Sequence, residues 1–91
     1  MPRAALLSRY QCYGSAAGDI RYASRRVEEG KRANRPVKRK LGRIIARYRK
    51  QAPPADVLAE YNALLRKHKA QVREINRRIR EHNRILKDDC S

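Results

Sequence analysis

A chain of 91 residues holds one domain at most, and its core material is thin: no Phe, no Trp, five Tyr, and a 41% hydrophobic content that leans on alanine. Charge dominates, with 24 Lys and Arg against 9 Asp and Glu, a net +15 at pH 7. This composition leaves nowhere to build a dry catalytic pocket and no apolar run near the roughly 18 residues of a membrane-spanning helix.

The amino-terminal stretch MPRAALLSRYQCYGSAAGDIRYASRRV has its first acid at Asp19. It is rich in Arg, Ser and Ala, which is the signature of a mitochondrial import segment. Ala4, Leu6, Leu7 and Tyr10 share a helix face opposite Arg3 and Arg9. Arg21-Tyr22-Ala23-Ser24 resembles a matrix-protease site, while Gly14 and Gly18 break a long helix at this point. An uncleaved import signal and a plain basic tail both fit. Residues 1–18 are read as a basic arm and 19–91 as a single helical domain, and the implied localisation is the mitochondrial matrix. Cys12 and Cys90 have no metal-site spacing, so two free thiols in a reducing compartment are expected.

Asp19 then caps a short helix through Ile20, Ala23 and Val27 that ends at Gly30. Pro36 opens the next helix, with Asn34 as its cap. Val37, Leu41, Ile44, Ile45 and Tyr48 form one apolar stripe along it. Pro53-Pro54 closes it, which predicts a helix over about 35–51. From Leu58 the pattern is stricter: Leu58, Tyr61, Leu65, His68, Val72, Ile75, Ile79, His82 and Leu86 alternate three and four apart, the a/d pattern of a heptad. The spacing predicts a long helix over about 55–87, with Asp56 and Glu60 near its amino end. A short connection favours antiparallel neighbours. The expected architecture is therefore all-α, an extended helical hairpin preceded by the basic arm.

The charge is uneven. Residues 1–54 carry 15 basic and 3 acidic groups, residues 55–91 carry 9 and 6, and residues 31–50 hold ten Lys or Arg and no acid. Lys38, Arg39, Arg43, Arg47 and Lys50 fall on the side away from the apolar stripe and are the first candidates for phosphate contact. Arg77, Arg78, Arg80 and Arg84 are the second, since arginine suits bidentate phosphate recognition. Leu58, Tyr61, Leu65, Val72, Ile75, Ile79 and Leu86 are the candidates for packing on a partner. No helix-turn-helix, zinc-finger or RNA-recognition motif is visible. A zipper-like basic region followed by heptads is interrupted at Pro53-Pro54.

The stretch EINRRIREHNRIL, residues 74–86, mixes apolar positions with Asn76, His82 and Asn83. His68 and His82 lie 14 residues apart, too far for a metal site within one chain. Polar d positions weaken a homodimeric coiled coil. A helix packed among protein and RNA groups fits best. INRRIREHNRIL resembles the last helix of a conserved domain of unknown function found downstream of the J domain in some DnaJ-like proteins. That helix has an Ile/Leu-Asn-Lys/Arg-x-Ile-x-x-x-Asn-x-Ile pattern, which Ile75, Asn76, Arg77, Ile79, Asn83 and Ile85 match. The resemblance covers roughly residues 37–86. The family's proline after the helix is replaced by Lys87-Asp88, and the His-Pro-Asp tripeptide of a J domain is absent. It implies a helical-hairpin scaffold and no chemistry.

No phosphate loop, paired carboxylates or nucleophile motif supports an enzyme, and no cofactor is expected. The sequence is read as a non-catalytic structural subunit of a large ribonucleoprotein. The expected host is a mitochondrial ribosome, with rRNA and neighbouring proteins as partners. The alternative is an accessory subunit of a mitochondrial inner-membrane complex with its basic face on anionic lipid. A DNA-binding helical dimer ranks third.

Overall fold

The computed structural model describes residues 11–90; the arm's import-signal face at Ala4, Leu6, Leu7 and Tyr10 lies outside the described residues. Two helices make up the fold, α1 over Ser15–Arg47 and α2 over Ala55–Asp89, and the described residues contain no strand. The expected helical hairpin is what forms.

The amino-terminal half departs from expectation. Instead of a short helix ending at Gly30 and a second starting near residue 35, α1 runs unbroken from Ser15, with Pro36 inside it. Gly14, at a φ of 59°, makes the left-handed turn from which α1 starts. Ala16, Ile20, Ala23, Val27, Gly30, Asn34, Val37, Leu41, Ile44 and Tyr48 alternate four and three apart, and none of them is exposed. This is a heptad stripe continuous through the whole helix. Gly30 and Asn34 occupy stripe positions, which hides the repeat from a reading based on large apolar residues. Asn34 is therefore a mid-helix interior residue and not a cap. Pro36 leaves the Arg32 carbonyl without its helical donor. Substituting Pro36→Ala on this exposed face is expected to raise stability by about 1–3 kcal/mol, read as a higher urea midpoint.

Arg47 in the last turn of α1 suits the helix dipole. The Tyr48 amide closes on the Ile44 carbonyl at 3.1 Å and the Leu58 amide on the Pro54 carbonyl at 2.9 Å, so the bend occupies residues 48–54. Asp56 stands in the first turn of α2, and α2 continues to Asp89, two residues past the expected end.

The chain forms two compact units. One takes in the chain up to Glu28 and from Asn76 on. Its core is Ala16, Ala23, Ile85 and Cys90, with Cys12, Ile20 and Leu86 packed against it. Alanines at two of the stripe positions, Ala16 and Ala23, allow the helices to approach closely. The Arg78 Nη1 donates to the Arg26 carbonyl at 2.7 Å, which ties α2 to the α1 backbone. Cys12 and Cys90 are joined in a disulfide across 78 residues of sequence. This overturns the expectation of free thiols: thiols far apart in sequence meet because the hairpin returns α2 to the start of α1.

The other unit, Glu29–Ile75, contains the bend. Val37, Leu41 and Asn34 are buried there, and Ile44, Tyr48, Tyr61, Leu64, Leu65, His68 and Val72 are half-buried. Asn34, only 5% exposed, spends both amide hydrogens across the hairpin, on the Gln71 Oε1 at 2.7 Å and the His68 Nδ1 at 3.0 Å. Because an amide nitrogen only donates, the His68 Nδ1 is the acceptor. The Gln71 Nε2 in turn donates to the Ala33 carbonyl at 3.4 Å. Replacing Asn34→Ala strands two acceptors and should cost about 1–3 kcal/mol in a urea titration; an unchanged midpoint would mean that water serves them equally well.

Candidate nucleic-acid interface

In the Glu29–Ile75 unit, the face of α1 opposite its stripe carries Arg32, Arg35, Arg39, Arg43 and Arg47, all exposed. Successive arginines stand three or four residues apart, about 4.5–6 Å along the axis. Among the described residues, none of Arg32, Arg35, Lys38, Arg39, Lys40 and Arg43 pairs with a carboxylate. A row of five guanidinium groups with no acid among them is a local field that salt screens only partly at this spacing. Guanidinium groups in this arrangement match the charge and the hydrogen-bonding geometry of phosphate or another anion.

The first candidate group is placed as follows. Arg39 and Arg43 lie in the middle of this row and Arg47 at its end, where its guanidinium stacks 5.6 Å from the centre of the Tyr48 ring. Lys38 is exposed but sits nearer the stripe edge. Lys50 does not share the helix face, because α1 stops at Arg47 and leaves Arg49 and Lys50 in the bend. Arg32 and Arg35, absent from the first candidate group, belong to the row. Their place in it follows from the continuity of α1 through residues 30–36, which no local signal predicts.

The second candidate group is more occupied by the protein itself. Arg78 is half-buried on the Arg26 carbonyl. Arg84 grips Glu81 through Nη2 at 2.7 Å and Nε at 3.1 Å, with Asp88 4.0 Å away. The hydrogen bond from Arg84 holds the Glu81 carboxyl below its ordinary range, and the same bond raises Arg84. A lowered carboxyl favours the folded state above its unfolded value, and that contribution is lost as pH falls through the folded one. Both groups are exposed, so Glu81→Gln should shift an acid-unfolding curve barely at all. Arg77 is also engaged, and both Arg77 and Arg80 are exposed.

Of the candidates for partner packing, Tyr61, Leu65, Val72, Ile75, Ile79 and Leu86 are each half-buried. Leu58 stands apart at 46% exposed. Tyr22, 61% exposed, lies 6.0 Å from the Arg26 guanidinium on the other unit. The His82 Nδ1 lies 3.1 Å from the Asn83 Oδ1. Among the described residues there is no group of three or more His, Cys, Asp or Glu able to hold a metal, and no helix long and apolar enough to cross a membrane. No family model, curated protein or solved structure matches the chain.

Proposed function

We propose that this chain is a non-catalytic structural subunit of a large ribonucleoprotein, in particular a mitochondrial ribosome, where it neutralises rRNA phosphates. The observation that carries the reading is the row Arg32, Arg35, Arg39, Arg43 and Arg47, exposed on one helix face and without acid partners among the described residues. A merely soluble surface mixes signs; this one costs self-repulsion that a polyanion removes. The small core, in which no large side chain among the described residues is fully buried, supports a protein that completes its burial in an assembly. The J-domain-associated resemblance adds a scaffold and no activity.

Sedimentation of the tagged native protein with and without RNase tests this. Co-migration with ribosomal particles that collapses on RNase treatment is the expected result. Migration in a particle indifferent to RNase would overturn it.

One observation favours a second reading. Disulfides persist in oxidising compartments and are rare where thiol reductants act. Cys12–Cys90 therefore supports an accessory subunit of an inner-membrane complex on its oxidising side over a soluble matrix protein. Alkylation of thiols before lysis, followed by mass measurement of the intact chain, separates the two. Two alkylated cysteines favour the matrix and an unalkylated chain favours the second reading.

A further inference from the structure

The bend of the Glu29–Ile75 unit carries an apolar surface that the arginine row does not use. Ile45 is 56% exposed and Leu58 46%, and they share an open groove with Ile44, Tyr48, Pro53 and Tyr61. Arg49 forms part of its lining, and Arg47 and Lys50 flank the lining pair Tyr48-Arg49 in the chain, all three without a carboxylate partner among the described residues. Asp56 and Glu60 are close in sequence, but each is two residues from Leu58. At 100° per residue they point to the far side of α2.

We propose that this bend is a membrane-interface contact, in which Ile45, Tyr48, Leu58 and Tyr61 enter an anionic lipid surface and Arg47, Arg49 and Lys50 hold its headgroups. The choice of occupant follows from the chemistry. Nucleic acid gains little from the exposed Ile45 and Leu58, which offer neither donors nor a stacking plane, and the two rings of the lining, Tyr48 and Tyr61, are half-buried. A second copy would set Arg47, Arg49 and Lys50 against their own equivalents across a self-complementary contact, in a chain already at +15. A folded protein partner needs roughly 20–30 residues a side for a standard interface, and seven line this groove. A lipid surface needs no shape matching, accepts a small aliphatic insertion, places tyrosine at headgroup level and rewards nearby cations. The contact does not rest on the rRNA reading, because its apolar residues lie off the arginine row.

The test uses the oxidised full-length chain with vesicles of phosphatidylcholine alone and of phosphatidylcholine with phosphatidylglycerol at 3:1, near 0.1 M salt. The chain has no tryptophan, so Leu58→Trp gives a single depth reporter. Binding to the anionic vesicles only is expected, with a blue-shifted emission that brominated lipid quenches. The double variant Ile45→Ser/Leu58→Ser should lose roughly 10–100-fold in partitioning, with helical circular dichroism unchanged since both side chains are exposed. Arg32→Gln/Arg35→Gln/Arg39→Gln should lose less than the double variant. Several results would overturn the proposal: no vesicle binding, an unshifted tryptophan, or an arginine-row variant that abolishes binding while the double variant keeps it. Concentration-dependent self-association that the double variant removes would assign the groove to a second copy.

Discussion

Reducing the Cys12–Cys90 disulfide is expected to lower the melting temperature by roughly 20–35 °C. The bridge closes 78 residues of chain, and the loop-entropy relation assigns a closure of that length about 4.5 kcal/mol. One kcal/mol moves the midpoint of a domain this size by about 4–8 °C. The core beside the bridge is Ala16, Ala23 and Ile85 with Ile20 and Leu86 against it, too little apolar area to replace what the cross-link contributes. Hydrogen exchange should locate the effect. On reduction, amides of residues 15–28 and 76–89 are expected to lose protection, while those around Asn34, Val37 and Leu41 keep more of theirs. The double variant Cys12→Ala/Cys90→Ala should behave as the reduced protein does. A reduced chain that melts with the oxidised one would show that helix packing alone holds these ends together.

Charge reversal on the arginine row should have the second large effect, on binding rather than stability. Arg39→Glu/Arg43→Glu/Arg47→Glu removes three cationic hydrogen-bond donors from a face where, among the described residues, no carboxylate pairs with them. At about 1.5 kcal/mol for each bond to a charged group, the affinity for structured RNA should fall on the order of a thousandfold. The slope of log K against log salt should flatten by roughly 2–3, one counterion release lost for each contact. The side chains are exposed, so melting should change little. Arg84→Glu is the contrast. Its guanidinium is already held by Glu81 and lies near Asp88, so the same titration should move only slightly. Equal losses from both variants would mean that net charge, and not this row, governs association.

The two surfaces of the bend-containing unit have different chemistry. The arginine row is a linear array of cations suited to a phosphate backbone, and the bend groove joins aliphatic and tyrosine side chains to a cationic margin suited to lipid. Salt distinguishes them: binding through the row should weaken steeply with ionic strength. Binding through the bend should retain the part carried by apolar insertion.

Much of α2 was legible in the sequence because its signals are local. The three-and-four alternation from Leu58 to Leu86, the Pro53-Pro54 break and Asp56 in the first turn act within a few residues, and α2 forms where they placed it. The basic run of residues 31–50 was legible for the same reason, since a helix turns an acid-free stretch into an acid-free face. What the sequence hid depended on contacts made at a distance. Gly30 and Pro36 disfavour a helix by about 1 and 3 kcal/mol, so local reading breaks α1 at both. The helix persists because its stripe from Ala16 to Tyr48 packs throughout its length, and Asn34 binds Gln71 and His68 from inside it. The pairing of Cys12 with Cys90 is likewise a consequence of the hairpin: no spacing rule connects residues 78 apart, and only the return of α2 brings their sulfurs within bonding distance. Composition and periodicity thus determined that this protein is a basic helical hairpin. Tertiary packing decided where its first helix begins, which polar residue is buried, and that its ends are covalently joined.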